Sequence, residues 1–223
     1  MRIGLLGGTF NPIHRGHLHI AEQTGARLGL DQILFIPTGD PPHKSGKTLA
    51  PAHHRLEMVK LAIRDFPTFR VSDIEASSSE TCYTIDTLRA LKKQLDGEFL
   101  FLVGLDAFLD LPTWKAGHEL ITATHFVVIS RPGVRFAQIK SLAMLPPIPE
   151  NELAALDTGQ RDHLDVATSP ASTLTLLALP PCHISASAIR DRLQQGMPVG
   201  DWLPAGIESY IIQHRLYGVR KGE

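Results

Sequence analysis

Short unbroken apolar runs alternate along this chain with longer stretches in which apolar residues recur every three or four positions. Arg2–Gly7 reads as a buried first strand. In Gly16–Leu28, Leu18, Ala21, Gly25 and Leu28 fall on one helical face, and Gly29 follows to end the helix. Gln32–Ile36 is a second strand closed by Pro37, and Thr38–Lys47 is a polar loop containing Pro41 and Pro42. Ala52–Asp65 is predicted helical, Phe69–Val71 a short strand, and Ile85–Leu95 a helix. Glu98–Val103, EFLFLV, is a buried strand, as are Phe126–Ile129 and Thr173–Leu179. Ser185 is a good N-cap, with Gly196 and Pro198 marking the far end of its helix, and Leu203–Tyr217 has an amphipathic pattern. Residues 134–172 are rich in Pro, Ala and polar residues, with a short helix near Glu150–Leu156, and read as an excursion to which the sequence assigns no role. Strands alternating with helices predict an α/β fold: a Rossmann-like, doubly wound, mostly parallel sheet with helices on both faces. Such sheets bind ligands beyond the carboxyl ends of their strands.

Composition narrows the function. The 223 residues, 43% hydrophobic, suffice for one domain spanning 1–223, with a helical C-terminal part at about 184–217. A net charge of −1 provides no global basic field, so no nucleic-acid partner is expected and any anion site must be local. Cys82 and Cys182 lie far apart and form no CxxC, which suits a reducing compartment. The apolar span Ile3–Leu6 is too short for a signal-peptide core, and no run approaches a membrane span, so a cytoplasmic protein without a membrane partner is expected.

The densest chemistry is GGTFNPIHRGH at residues 7–17. Glycines leaving a strand let a ligand approach the main chain, and a helix start with two imidazoles, His14 and His17, attracts phosphate. The glycine spacing fails the GxGxxG fingerprint, which argues against hydride transfer. Four further clusters follow. Asp40–Lys47, DPPHKSGK, carries His43 and Lys44. CYTIDTL holds Tyr83, Thr84 and Asp86. VGLDAFLDLPTW holds Asp106 and Trp114. ISASAIR holds Ser185 and Arg190. Taken singly these read as a solvated basic loop, helix caps, a core tryptophan and a capped helix with an exposed arginine.

Together and in this order they resemble the bacterial nicotinate-nucleotide adenylyltransferase family of the HxGH nucleotidyltransferase superfamily. The matches are GGTFDPxHxGH, PPHK, SYTxDTL, [IV]GxDxxxxLxxW and ISSTxIR, and they run from residue 3 to about 217 apart from 134–172. This chain departs at Asn11, Cys82, Ala186 and Ala188, and EASSSET upstream of Cys82 lacks the basic residue often found there. The resemblance implies transfer of the adenylyl group of ATP to nicotinate mononucleotide, giving nicotinate adenine dinucleotide and pyrophosphate in NAD biosynthesis. It implies direct in-line attack without a covalent intermediate, with Mg²⁺ carried by ATP and pyrophosphate rather than by a protein site. Residue by residue, it implies that His14, His17 and Arg190 are catalytic. Gly8, Thr9, Phe10, Asp106 and Ser185 would join them in binding ATP, and His43, Lys44, Tyr83, Thr84 and Trp114 would bind the mononucleotide. A phosphopantetheine adenylyltransferase would lack SYTxDTL and LxxW. A zinc hydrolase using His14, His17 and His19 would want a carboxylate ligand that the sequence does not offer. A degenerate nucleotide sensor would have lost the histidines or the arginine.

Overall fold

A computed structural model describes residues 1–39 and 49–219. The described strands and α-helices are, in order, β1 (Arg2–Gly8), α1 (Arg15–Leu28), β2 (Gln32–Pro37), α2 (Ala52–Ile63), β3 (Phe69–Val71), α3 (Thr84–Gln94), β4 (Glu98–Gly104), α4 (Leu105–Leu109), α5 (Gly117–Ala123), β5 (His125–Ile129), α6 (Glu150–Asp157), β6 (His163–Ser169), β7 (Ser172–Leu177), α7 (Ala186–Gln194) and α8 (Ile207–Gln213). The strands form one sheet in the order β3-β2-β1-β4-β5-β7-β6. The pairs β2–β3, β1–β4, β4–β5 and β5–β7 are parallel, and β6–β7 is antiparallel. The expected mostly parallel, Rossmann-like α/β sheet is therefore present. Strand order reverses between β1 and β4, the point at which such sheets bind ligands.

The chain divides into two compact units, one of Met1–Leu6 with Tyr83–Cys182, the other of Gly7–Cys82 with His183–Glu223. In the first, β4 lies between β1 and β5, and Phe99 to Val103 are all buried, which explains their continuous apolar run. Residues 134–172 turn out to be part of this unit's structure. Asp157 accepts the main-chain N–H groups of Phe136 at 2.6 Å and Ala137 at 3.2 Å, capping a short turn, and the segment supplies α6 and β6. The expected short helix near Glu150–Leu156 is α6. Strand β6, HLDVATS, was not legible because an edge strand with alternating exposed residues carries little hydrophobic signal.

In the second unit, β2 pairs with β3, Ile33 opposite Phe69. Helix α1 begins at Arg15 and ends at Gly29, whose φ of 59° is left-handed and whose N–H caps the Gly25 carbonyl. Its buried face is Gly16, Leu18, Ala21 and Thr24, so the apolar stripe sits slightly round from the expected Leu18, Ala21, Gly25 and Leu28. Ser185 does cap α7, its Oγ accepting the Ala188 N–H at 3.2 Å. The amphipathic stretch Leu203–Tyr217 yields only the short α8, bounded by left-handed residues at Gly206 and Arg215.

Candidate active site

The first loop packs around one ring. Phe10 has a positive φ of 47°, is 2% exposed and packs against Phe35 with centroids 5.8 Å apart. A Cβ on Gly8 would stand 3.2–3.4 Å from that ring, a tight contact that the ring would have to yield to by a few tenths of an ångström. The other edge of Phe10 meets His17 in a T-shaped contact at 5.0 Å. The motif's phenylalanine is thus a support for the histidine, in addition to the main-chain contact expected of it.

His14 is the N-cap of α1, with extended φ and ψ of −145° and 168°. Its main-chain N–H donates to His17 Nδ1 at 3.2 Å, and the two imidazoles stack at 3.7 Å with planes 25° apart. Because Nδ1 accepts, the neutral His17 ring carries its proton on Nε2 and presents a donor there. His14 is buried and His17 half-buried. The turn that bears them opens a 14-residue helix with no acidic residue in its first turn, so the positive end of the helix adds to the donors.

Arg190, on α7, donates from Nη1 to the Asn11 carbonyl at 2.7 Å, and Asn11 Oδ1 accepts the Ala50 N–H at 3.0 Å. Asn11, where the family pattern has Asp, therefore acts through an acceptor that either side chain provides. Ser185 is exposed at the start of α7. Tyr217 lies within electrostatic reach of Arg190 and Arg55, and burial pushes its hydroxyl above the ordinary range against their pull. His43 and Lys44 lie outside the described residues.

The first unit carries the other predicted residues. Tyr83 precedes α3 as its N-cap and is 44% exposed; Thr84 is its first residue. Trp114 is half-buried and meets Phe101 edge-on at 6.1 Å. Asp86 does not cap α3 with its side chain, as the sequence suggests, because it stands inside the first turn and pairs with Lys115 at 2.8 Å. Asp106, in the first turn of α4, accepts from Arg131 Nε at 3.2 Å. Lys115, unremarked in the sequence, joins the two motifs: its Nζ also lies 4.4 Å from the centre of the Tyr83 ring. A lysine next to LPTW gives no signal of its own. A Cβ on Gly117 would fall 2.2 Å from the Leu111 carbonyl, so this turn requires glycine.

Among the described residues, no group of three or more His, Cys, Asp or Glu is placed to hold a metal ion, and no helix is long and apolar enough to cross a membrane.

Comparison with known proteins shows the family. The cytidylyltransferase-like family matches residues 5–192. A protein of Dehalococcoides mccartyi (strain CBDB1), named "probable nicotinate-nucleotide adenylyltransferase", is 42% identical over 219 residues, covering 97% of both chains. One of the same name from Geobacter metallireducens is 38% identical over 218 residues, covering 97% of this chain and 98% of its own. The fold is similar to that of Plasmodium falciparum nicotinic acid mononucleotide adenylyltransferase complexed with NaAD, with a TM-score of 0.72, 23% identity and 98% of each chain covered.

Proposed function

We propose that this chain, which belongs to the cytidylyltransferase-like family and is similar over nearly its whole length to nicotinate-nucleotide adenylyltransferases, joins ATP to nicotinate mononucleotide, and that its residues do so as follows. The mononucleotide phosphate, ionised at neutral pH, attacks the α-phosphorus of ATP in line, and pyrophosphate leaves. No protein nucleophile or general base is required. The protein has to align two anions and stabilise the charge that builds on the transferring phosphorus.

The observation that carries this reading is the His14–His17 pair. The N–H of His14 occupies His17 Nδ1, which leaves the neutral ring's proton on Nε2 as a donor and fixes the ring's orientation. A preset donor is what a transition state with growing phosphoryl charge rewards. His17 stabilises the transferring phosphoryl group, with His14 and the main chain of Gly8, Thr9 and Phe10 around the triphosphate. Arg190 and the Ser185 end of α7 hold the outer phosphates. Thr84 and the main chain at Tyr83 meet the nicotinate carboxylate, and Trp114 stacks on the pyridine ring. Asp106 serves the adenosine half. His43 and Lys44 complete the mononucleotide set on the strength of the PPHK motif. Magnesium, carried in with ATP as part of the substrate, would supply charge neutralisation for the departing pyrophosphate. Soluble nucleotide substrates support a cytoplasmic location.

The test is pyrophosphate release from ATP and Mg²⁺ with nicotinate mononucleotide, nicotinamide mononucleotide or phosphopantetheine as acceptor. Release with nicotinate mononucleotide is expected. Release only with another acceptor, or with none, overturns the reading.

A further inference from the structure

Arg55 is the largest side chain that is fully buried among the described residues, with 0% exposure. It stands four residues into α2, whose first turn has no acidic residue. A cation near a helix start opposes the helix dipole, and arginine is rarely buried at all.

The guanidinium has a specific use instead. Nε donates to the Ala50 carbonyl at 2.8 Å, Nη1 to the Thr9 carbonyl at 2.8 Å, and Nη2 to the Gly39 carbonyl at 3.1 Å. Nη1 also reaches Thr38 Oγ1 at 3.4 Å. The three carbonyls come from three stretches: just after β1, just after β2 and just before α2. A rigid planar fork fixes them relative to one another, which a flexible ammonium cannot do. The first loop is tied to the same place a second time, because Asn11 Oδ1 accepts the Ala50 N–H at 3.0 Å. The Gly39 stretch is close-packed as well: a Cβ there would fall 2.7 Å from the Glu75 carbonyl.

We propose that Arg55 is a positioning residue for adenylyl transfer. It locks the main chain from Thr9 to Asn11 to the stretches leaving β2 and entering α2, and so sets where the following His14–His17 pair stands. It touches no substrate itself. The proposal rests on the reading that this loop holds the triphosphate. Misplacement by about an ångström costs up to about 100-fold in rate, so its loss falls on kcat.

The experiment compares wild type, Arg55→Lys and Asn11→Ala. Each is assayed for pyrophosphate release with both substrates varied, well below its own Tm, with the folded state confirmed by circular dichroism. Arg55→Lys keeps the charge but not the fork, and is expected to lose about 30-fold in kcat with either KM within about threefold. Asn11→Ala, which removes the second tie without emptying the buried site, is expected to lose about fivefold in kcat. A folded Arg55→Lys with kcat within twofold of wild type overturns the proposal, as does a loss carried by KM alone. Should Arg55→Lys not fold, Asn11→Ala decides by the same criterion. Silence of the unmutated protein with nicotinate mononucleotide would instead defeat the functional reading, and this proposal with it.

Discussion

The first loop and the Tyr83–Trp114 patch, to which the proposed function gives different halves of the chemistry, are held by opposite means. In the loop, Phe10, Asn11 and His14 are 2%, 9% and 5% exposed, and main-chain groups are held by the buried Arg55 and half-buried Arg190. In the patch, Tyr83 is 44% exposed, and order comes from ion pairs at the surface, Lys115–Asp86 at 2.8 Å and Arg89–Glu119 at 2.6 Å. Ion pairs of that kind contribute little, whereas hydrogen bonds from a buried charge are hard to break. The difference fits the proposed tasks. Charge that appears only in a transition state is best met by donors already fixed in place. A flat pyridine ring needs only a face to lie on and a few donors for its carboxylate, and tolerates a surface that adjusts.

That contrast can be broken by mutation. The largest effect is expected at His17: His17→Ala should fold normally and lose at least about 100-fold in kcat, the scale of one removed transition-state donor. Trp114→Ala should act on the other side of the contrast, raising the KM for the mononucleotide several-fold, equivalent to about 1 kcal/mol.

Acid should weaken the loop's unit before it affects the patch. His54, on α2 next to Arg55, accepts or donates at Tyr210 Oη 2.9 Å away and lies near His53 and His214. Burial first, then the His53 and His214 charges, hold its pKa below the ordinary 6.5. The unfolded chain therefore takes up a proton at His54 before the folded chain does. Its contribution to stability is complete above pH 6.5 and falls away as pH drops through the lower folded value. Melting curves from pH 8 to 5 should show a falling Tm, and His54→Gln should flatten that fall. The smallest effect is expected at Lys115: Lys115→Ala should change stability by less than about 1 kcal/mol in urea titrations, and added salt should erase the difference.

The sequence was most informative where function is local. GGTFNPIHRGH lies within one turn of chain, so its histidines, its helix start and its glycines could be read together, and the structure brings His14 and His17 face to face. Arg55 was passed over because an arginine within HHRLEMVKLAI reads as part of a solvated face. A signal was present nonetheless: Ala52, Leu56, Val59 and Ile63 mark the buried stripe of α2, and Arg55 falls on it. Its partners Thr9, Gly39 and Ala50 are up to 46 positions away in sequence, and only the fold brings them together. Lys115 and β6 escaped for the same reason, since a long-range ion pair and a polar edge strand leave little periodic trace.

In the proposed function the chemistry is built into the loop and the recognition into the patch. Steady-state pyrophosphate release against nicotinate mononucleotide, at saturating ATP and Mg²⁺, tests it most directly when run side by side on wild type, His17→Ala and Trp114→Ala. The prediction is a collapse of kcat with little change in KM for His17→Ala, and a raised KM with nearly wild-type kcat for Trp114→Ala. The reverse pattern, or two variants that fail in the same way, would contradict it.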